Sequence, residues 1–356
     1  MSNKILYVGM DVHQATISMA AMNAAGWIVS EAIIETKTEA VRDFIKTLRG
    51  EVHITFEEGT QAAWLYDLLS PLVEEVIVCN PRHNKLLHSG NKNDRVDARK
   101  LAELLRHGSL RAVYHGEHGT RTLKELVRCY ECLVEDITRV KNRLKAIFRA
   151  RAIASRGRAL YQVSQRQAWL QQLEEPGARC RAESLYRQLD ELKPLHREAR
   201  RAMLAESRRH EANTLLQQIP ELGPVRVAQI IATLDTPHRF RTKRPLWAYL
   251  GLAVVTHSSA DYQVRAGRVH QKSRKVVQTR GLNRHYNHRL KAVFKSAAAG
   301  ACDAGPYKQF YEGLLASGMR AEMARLTVAR KLAATVLAVW KSGESFCAEK
   351  VMKLAT

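Results

Sequence analysis

Ile5-Leu6-Tyr7-Val8-Gly9-Met10-Asp11 is the stretch on which the fold turns. An apolar run of this length, closed by a charge, reads as a buried β-strand with a carboxylate at its end. Residues 16–23 and 27–34 read as two more strands joined by tight turns, with Ala25-Gly26 marking the second turn. A helix is expected over residues 38–48, a strand over 52–56 closed by Glu57, a helix over 62–69, and a strand over 75–79 stopped by Asn80-Pro81. Three antiparallel strands followed by β–α units are the outline of a ribonuclease-H-like domain, expected over residues 1–115.

Four acids in this part carry the chemistry: Asp11, Glu57, Asp94 and Asp97. Asp94 and Asp97 open a helical pattern in Asn93-Asp94-Arg95-Val96-Asp97-Ala98-Arg99-Lys100-Leu101, and their spacing places both on one helical face. Carboxylates at strand ends and on a helix can converge on a hard cation such as Mg2+, which offsets charge on the attacking and leaving oxygens of phosphoryl transfer. A plainer reading makes Asp94 and Asp97 a helix cap and a first-turn acid. Glu58 follows Glu57, so one of that pair is free to be a solvent-facing charge.

Composition narrows the partners. The 356 residues hold 57 Lys+Arg against 35 Asp+Glu, a formal charge of +22. That excess points to nucleic acid or an anionic membrane surface. No apolar run approaches a membrane span and no signal-peptide pattern opens the chain, so a cytoplasmic protein is expected, with no membrane partner. Cys129 and Cys132 form a CxxC within a helical pattern, with no second pair at zinc-site spacing, and no zinc is assigned.

The pattern changes after residue 115. Leu126, Tyr130, Leu133, Ile137, Val140, Leu144 and Ile147 alternate spacings of four and three, a heptad seam. A second seam runs through Leu185, Leu189, Leu192, Ala199 and Met203. Residues 116–212 are therefore expected to form a long-helix, coiled-coil region, paired either within one chain or between chains. Between Arg139 and Trp169 stand nine Arg or Lys and no acid. A one-sign face repels itself unless a polyanion covers it, so Arg139, Lys141, Arg143, Lys145, Arg149 and Arg151 are expected to touch nucleic acid.

Residues 213–356 are read as a mainly helical C-terminal domain. Gln218-Ile219-Pro220-Glu221-Leu222-Gly223-Pro224-Val225 leads into a helix as a helix-hairpin-helix turn would, presenting backbone N–H groups to phosphate. From His238 to Lys291 there are thirteen Lys or Arg and one acid, Asp261, interleaved with Trp247, Tyr249 and Tyr262. Stacking aromatics among cations suit nucleic-acid strands, with Arg265, Arg268, Lys272, Arg274 and Lys275 as candidate contacts.

Taken together these segments resemble the DEDD-type transposases of bacterial insertion sequences, the group described as bridge-RNA-guided recombinases. Tyr7-Val8-Gly9-Met10-Asp11 matches the family's opening strand. Phe56-Glu57-Glu58-Gly59 matches its glutamate segment and selects Glu57, and Asn93-Asp94-Arg95-Val96-Asp97-Ala98-Arg99 matches its aspartate pair. Ile219-Pro220-Glu221-Leu222-Gly223-Pro224, the run from Phe240 to Leu252, and Ala329-Arg330-Lys331-Leu332-Ala333 resemble its C-terminal transposase domain. The resemblance implies a RuvC-like N-terminal domain with Mg2+ on Asp11, Glu57, Asp94 and Asp97. It implies a serine nucleophile toward DNA, which counting places at Ser259 with Ser258 as its neighbour. Ala260 stands where the family has glycine, and Ala253-Val254-Val255 replaces a proline-containing turn. It further implies donor and target DNA as substrates, a non-coding guide RNA, and a homo-oligomer, dimer or tetramer. Two rivals stand beside it: a resolvase-like nuclease that uses the same acids and water, and a non-catalytic nucleic-acid-binding protein.

Overall fold

Strand β1, Ile5–Val12, buries Val8 and Met10 completely. The strand runs on past Asp11, which pairs with Ser18 across the antiparallel ladder to β2, Thr16–Asn23. Asp11 is thus held inside the sheet by a neighbouring backbone, where the sequence placed it at the strand's end. Gly26, at φ +89°, makes the turn into β3, Ile28–Glu35. Trp27 belongs to that turn, not to the strand: its N–H donates to Asn23 Oδ1 at 2.9 Å and its side chain is exposed. Helix α1, Thr38–Thr47, leads to β4, Glu51–Glu57, which lies parallel to β1 with Met10 opposite Phe56. Helix α2, Ala62–Leu69, then returns the chain to β5, Glu75–Cys79, parallel to β4.

The computed structural model describes residues 5–81, 93–115, 118–257, 262–265, 268–271, 278–283 and 285–349. Its first compact unit spans Met1–Glu117 and its second His118–Thr356. In the first, the sheet order is β3-β2-β1-β4-β5. One face packs on α1 and α2 through Met10, Ile17, Val41, Phe44, Ile54, Phe56, Leu65 and Leu69. Burying each such side chain contributes about 1.5–3 kcal/mol. The other face carries α3, Asp94–Arg106, which packs against β1 and β2.

The second unit opens with α4, Arg121–Arg149, followed by short α5, Arg166–Gln171, and α6, Pro176–Ser207. The long helices lie antiparallel within this one chain. The end of α4 (Val140, Leu144, Ile147) shares a core with the start of α6 (Ala178, Ala182, Leu185), while Tyr130 meets His196 with ring centroids 5.1 Å apart. The heptad seam is buried only in its second half. Towards the front of α4, Leu123 and Val127 are the buried residues, and they join the C-terminal core with Met203. An untwisted helix drifts against a strict seven-residue repeat, so its buried stripe moves as its partners change.

That core is built by α7, Glu211–Leu216, α8, Pro224–Leu234, α9, Lys243–Tyr249, α10, His288–Ala301, α11, Pro306–Ala316, and α12, Ala321–Ser342. Between α9 and α10 the basic stretch forms strands absent from the helical expectation. β6, Val254–His257, pairs antiparallel with β9, Gln278–Leu282, and β7, Tyr262–Arg265, with β8, Arg268–Gln271. Among the described residues no helix is long and apolar enough to cross a membrane.

Candidate acidic metal centre

Side chains alternate along β1, so Gly9 and Asp11 share the face opposite Met10. A Cβ at Gly9 would lie 2.1 Å from Ala98 O and 2.4 Å from Ala102 N. Only a residue without a side chain lets the α3 backbone come this close. The contact sets the height of α3 above the strand. Two more contacts hold the helix to the sheet: Arg99 grips both carboxylate oxygens of Glu31 on β3, and Arg106 Nη1 donates to Ala24 O at 3.3 Å. A bidentate pair of this kind fixes orientation as well as distance.

The N-terminus of α3 is thereby brought to Asp11. Asn93 caps the helix, its Oδ1 accepting from Arg95 N at 3.2 Å, and Asp94 is the first helical residue. His13, in the turn after β1, completes a trio. Its Nε2 lies 3.2 Å from Asp11 Oδ2 and 3.7 Å from Asp94 Oδ1. One ligand atom from each of Asp11, His13 and Asp94 falls within 4.8 Å of the others. Burial raises the Asp11 pKa above 3.8; His13 opposes that shift, and Asp94 and Asp97 reinforce it. A carboxylate pushed in this direction by burial and like charges is one a cation would relieve.

The other predicted acids occupy neighbouring positions. Asp97 sits one turn along α3, close enough to act on Asp11 through charge, with Lys100 Nζ at 3.5 Å. Glu57 is the last residue of β4, one step beyond the Met10–Phe56 pair and so beside Asp11 on the adjacent parallel strand. Neither belongs to the close trio. Glu58 is occupied elsewhere: His115 Nε2 lies 2.7 Å from its carboxylate. His13 was missed in the sequence reading, although a ligating side chain two residues past a strand acid was a usable signal. Two carboxylates and an imidazole are a donor set that would suit a divalent ion.

The predicted cationic surface is less uniform than its sequence. Arg139 is paired with Glu135 at 3.3 Å and Asp136 at 3.0 Å, and Arg151 with Glu175. The sequence window began after the two α4 acids, so a one-sign run became a mixed face once helical spacing brought them back. Lys141 stands over the Tyr161 ring at 5.4 Å. Among the described residues Arg143, Lys145 and Arg149 have no acidic partner, and Arg143 and Arg149 are exposed. Arg268 is exposed on β8 and Arg265 lies in β7; Lys272, Arg274 and Lys275 fall outside the described residues. Ser258 and Ser259 also fall outside them, in the segment from β6 to β7.

A family model for the DEDD transposase of IS110 matches residues 8–151, the span that holds most of β1, all of β4 and α3, and all four predicted acids. A second, described as the transposase IS116/IS110/IS902 family, matches residues 213–280. The chain carries the two domains of the IS110 family of transposases. It is 34% identical over 106 residues to the transposase for insertion sequence element IS1533 of Leptospira borgpetersenii, covering 28% of this chain and 31% of that one. It is 24% identical to the transposase for IS1111A of Coxiella burnetii, over 53% of this chain and 52% of that one. A putative transposase of Sinorhizobium fredii, y4pF/y4sB, is 25% identical over 74% of this chain and 67% of its own. The chain thus spans about a third and about half of the first two relatives, and two thirds of the third.

Proposed function

We propose that this IS110-family chain is a DNA-cutting and rejoining transposase whose first unit is a RuvC-like metal site. The observation that carries the reading is the approach of Asp94 to Asp11, enforced by Gly9, at the place where the DEDD family model matches. Asp11, Asp94, Asp97 and Glu57 would hold Mg2+, which when bound offsets charge developing on the phosphoryl oxygens. His13 stands where a proton has to be held or passed on beside Asp11. In the second unit Ser259 is the proposed nucleophile. Its Oγ would form a bond to a phosphorus as the bond from that phosphorus to a deoxyribose oxygen breaks, and the proton given up by the serine hydroxyl would end on the freed sugar oxygen. Rejoining reverses the exchange onto another strand, with no net hydrolysis and no nucleotide triphosphate. A structured RNA that pairs with donor and target, and a homo-oligomer that completes each site, are part of the same proposal. Both draw on the family resemblance.

The test is capture of a covalent protein–DNA band from a labelled fragment carrying the ends of the element, run on a denaturing gel. The wild type should give the band with Mg2+ and lose it in EDTA. Asp94→Asn and Ser259→Ala should lose it, while Ser258→Ala keeps it. Free cleaved strands from the Ser259→Ala protein would instead identify water as nucleophile, the resolvase-like alternative. Binding without cleavage in every condition would leave only the non-catalytic reading.

A further inference from the structure

A cleft of about 520 Å³ is lined by α9, α11 and α12 of the second unit, a volume in the range of small-molecule sites. Five of its thirteen lining residues are Lys or Arg, and none is Asp or Glu. Its walls are aromatic and aliphatic, with Trp247 from α9, Phe310 and Leu314 from α11 and Leu337 from α12. Lys331 reaches this space from α12. The residue is 7% exposed, its Nζ is buried with no hydrogen-bond partner among the described residues, and it lies 5.3 Å from the Phe310 ring centroid. Arg330 Nη2 is likewise buried and unpartnered, although its Nε donates to Leu252 O at 2.6 Å.

Buried cations with no counter-charge are costly, and a ring face offsets only part of that cost. Burial, and then Lys243, hold the Lys331 ammonium below its usual pKa. Lys341 is already satisfied: its Nζ donates to Phe240 O at 2.6 Å and Arg241 O at 3.2 Å. It shapes the rim. That leaves Lys331, the Arg330 edge, and exposed Arg241 and Lys243 at the mouth to receive an anion. Trp247 is fixed beside them, its Nε1 donating to Arg330 O at 2.9 Å and Lys243 Nζ standing 5.6 Å from its ring.

We infer that this cleft takes one nucleotide of a single-stranded nucleic acid, its phosphate against Lys331 and Arg330 and its base against Trp247 and Phe310. Cations paired with aromatic faces are the means by which single strands are held without regard to sequence. A base inside a duplex has both faces covered by its neighbours and has no access to such a wall. The inference rests on the proposed function only in choosing nucleic acid as the anion.

The experiment is fluorescence anisotropy of the full chain in EDTA, with labelled strands of about twelve nucleotides of DNA or RNA and the matching DNA duplex. Lys331→Met should bind single strands at least tenfold more weakly and lower the salt slope by about 0.7. Duplex affinity should stay within about twofold, and thermal stability should match or exceed wild type, because an unpaired buried charge has gone. Loss on the DNA strand alone, the RNA strand alone or both supports the cleft and names its sugar preference. Unchanged single-strand binding, or an equal loss on duplex, overturns it. Should Lys331→Met fail to fold, Arg241→Gln with Lys243→Gln alters only the exposed mouth. A loss of threefold or more on single strands then supports the inference, and no loss refutes it. Divalent metal is absent throughout, so failure here leaves the cleavage assay untouched, and the reverse.

Discussion

Gly9 is the residue on which the acidic centre depends most directly. With a Cβ there only 2.1 Å from Ala98 O, Gly9→Ala has to lift α3 from β1 or distort both. Overpacking of this sort costs about 1–3 kcal/mol. The expected outcome is a lower melting temperature together with a larger, disproportionate loss of DNA cleavage, because Asp94 moves away from Asp11. Cleavage falling only in step with stability would refute the positioning argument. Metal binding gives a second residue-scale check. Mg2+ should raise the melting temperature of the wild type, as any ligand of the native state does, and Asp94→Asn should abolish most of that rise.

His53 offers a pH test in the same unit but away from the site. Burial works against its charged form, but bonds to Glu75 at 2.8 Å and Glu51 at 3.2 Å raise its pKa above 6.5. A raised folded value means that the stabilisation is present below 6.5 and is lost as pH rises through the folded pKa. Thermal melts of His53→Gln and wild type should therefore differ more at about pH 6 than at about pH 9. A constant gap across that interval would show that the carboxylates contribute packing alone.

At the scale of elements, the α4–α6 hairpin shows which part of a seven-residue repeat is structural. Leu144 is completely buried and Val134 on the same helix is 37% exposed. Leu144→Ala is expected to cost about 2–5 kcal/mol in denaturant unfolding. Val134→Ala should stay within about 0.5 kcal/mol. Similar costs at both positions would mean that the exposed stripe is covered in solution, as pairing between chains would require. The same helix decides which cations are available to a polyanion. Arg139 already has two carboxylates beside it, whereas Arg143 and Arg149 have none among the described residues. Replacing Arg143 and Arg149 by Gln should flatten the salt dependence of duplex binding by about 2. Arg139→Gln should leave it nearly unchanged.

Across the whole molecule, the two units divide the chemistry that the family resemblance assigns to one enzyme. The first supplies the carboxylates, built on a sheet whose central strand is β1. The second holds the helical hairpin, the cationic cleft and the segment of the proposed serine. The charge of +22 would attract any polyanion, the proposed DNA included, but gives no selectivity, since phosphate contacts are the same for every sequence.

The local elements of the first unit were legible from the chain itself, because each depends on short-range patterning. Apolar runs flanked by turn residues placed β1 to β5 within a residue or two, and the stretch from Asn93 to Leu101 located the start of α3, although its cap is Asn93 and not Asp94. Along α4 the repeat located the helix, and the basic stretch before α10 hid two antiparallel strand pairs, β6 with β9 and β7 with β8. What required the folded chain was every relation between distant positions. Gly9 under Ala98, His13 between Asp11 and Asp94, Arg139 turned toward Glu135, and Lys331 left without a counter-charge are facts of packing. Periodicity reports which side of an element is apolar, but not what stands opposite it. Charges and close approaches are decided by that opposite surface, so the sequence names the acids while tertiary structure decides which of them can share an ion.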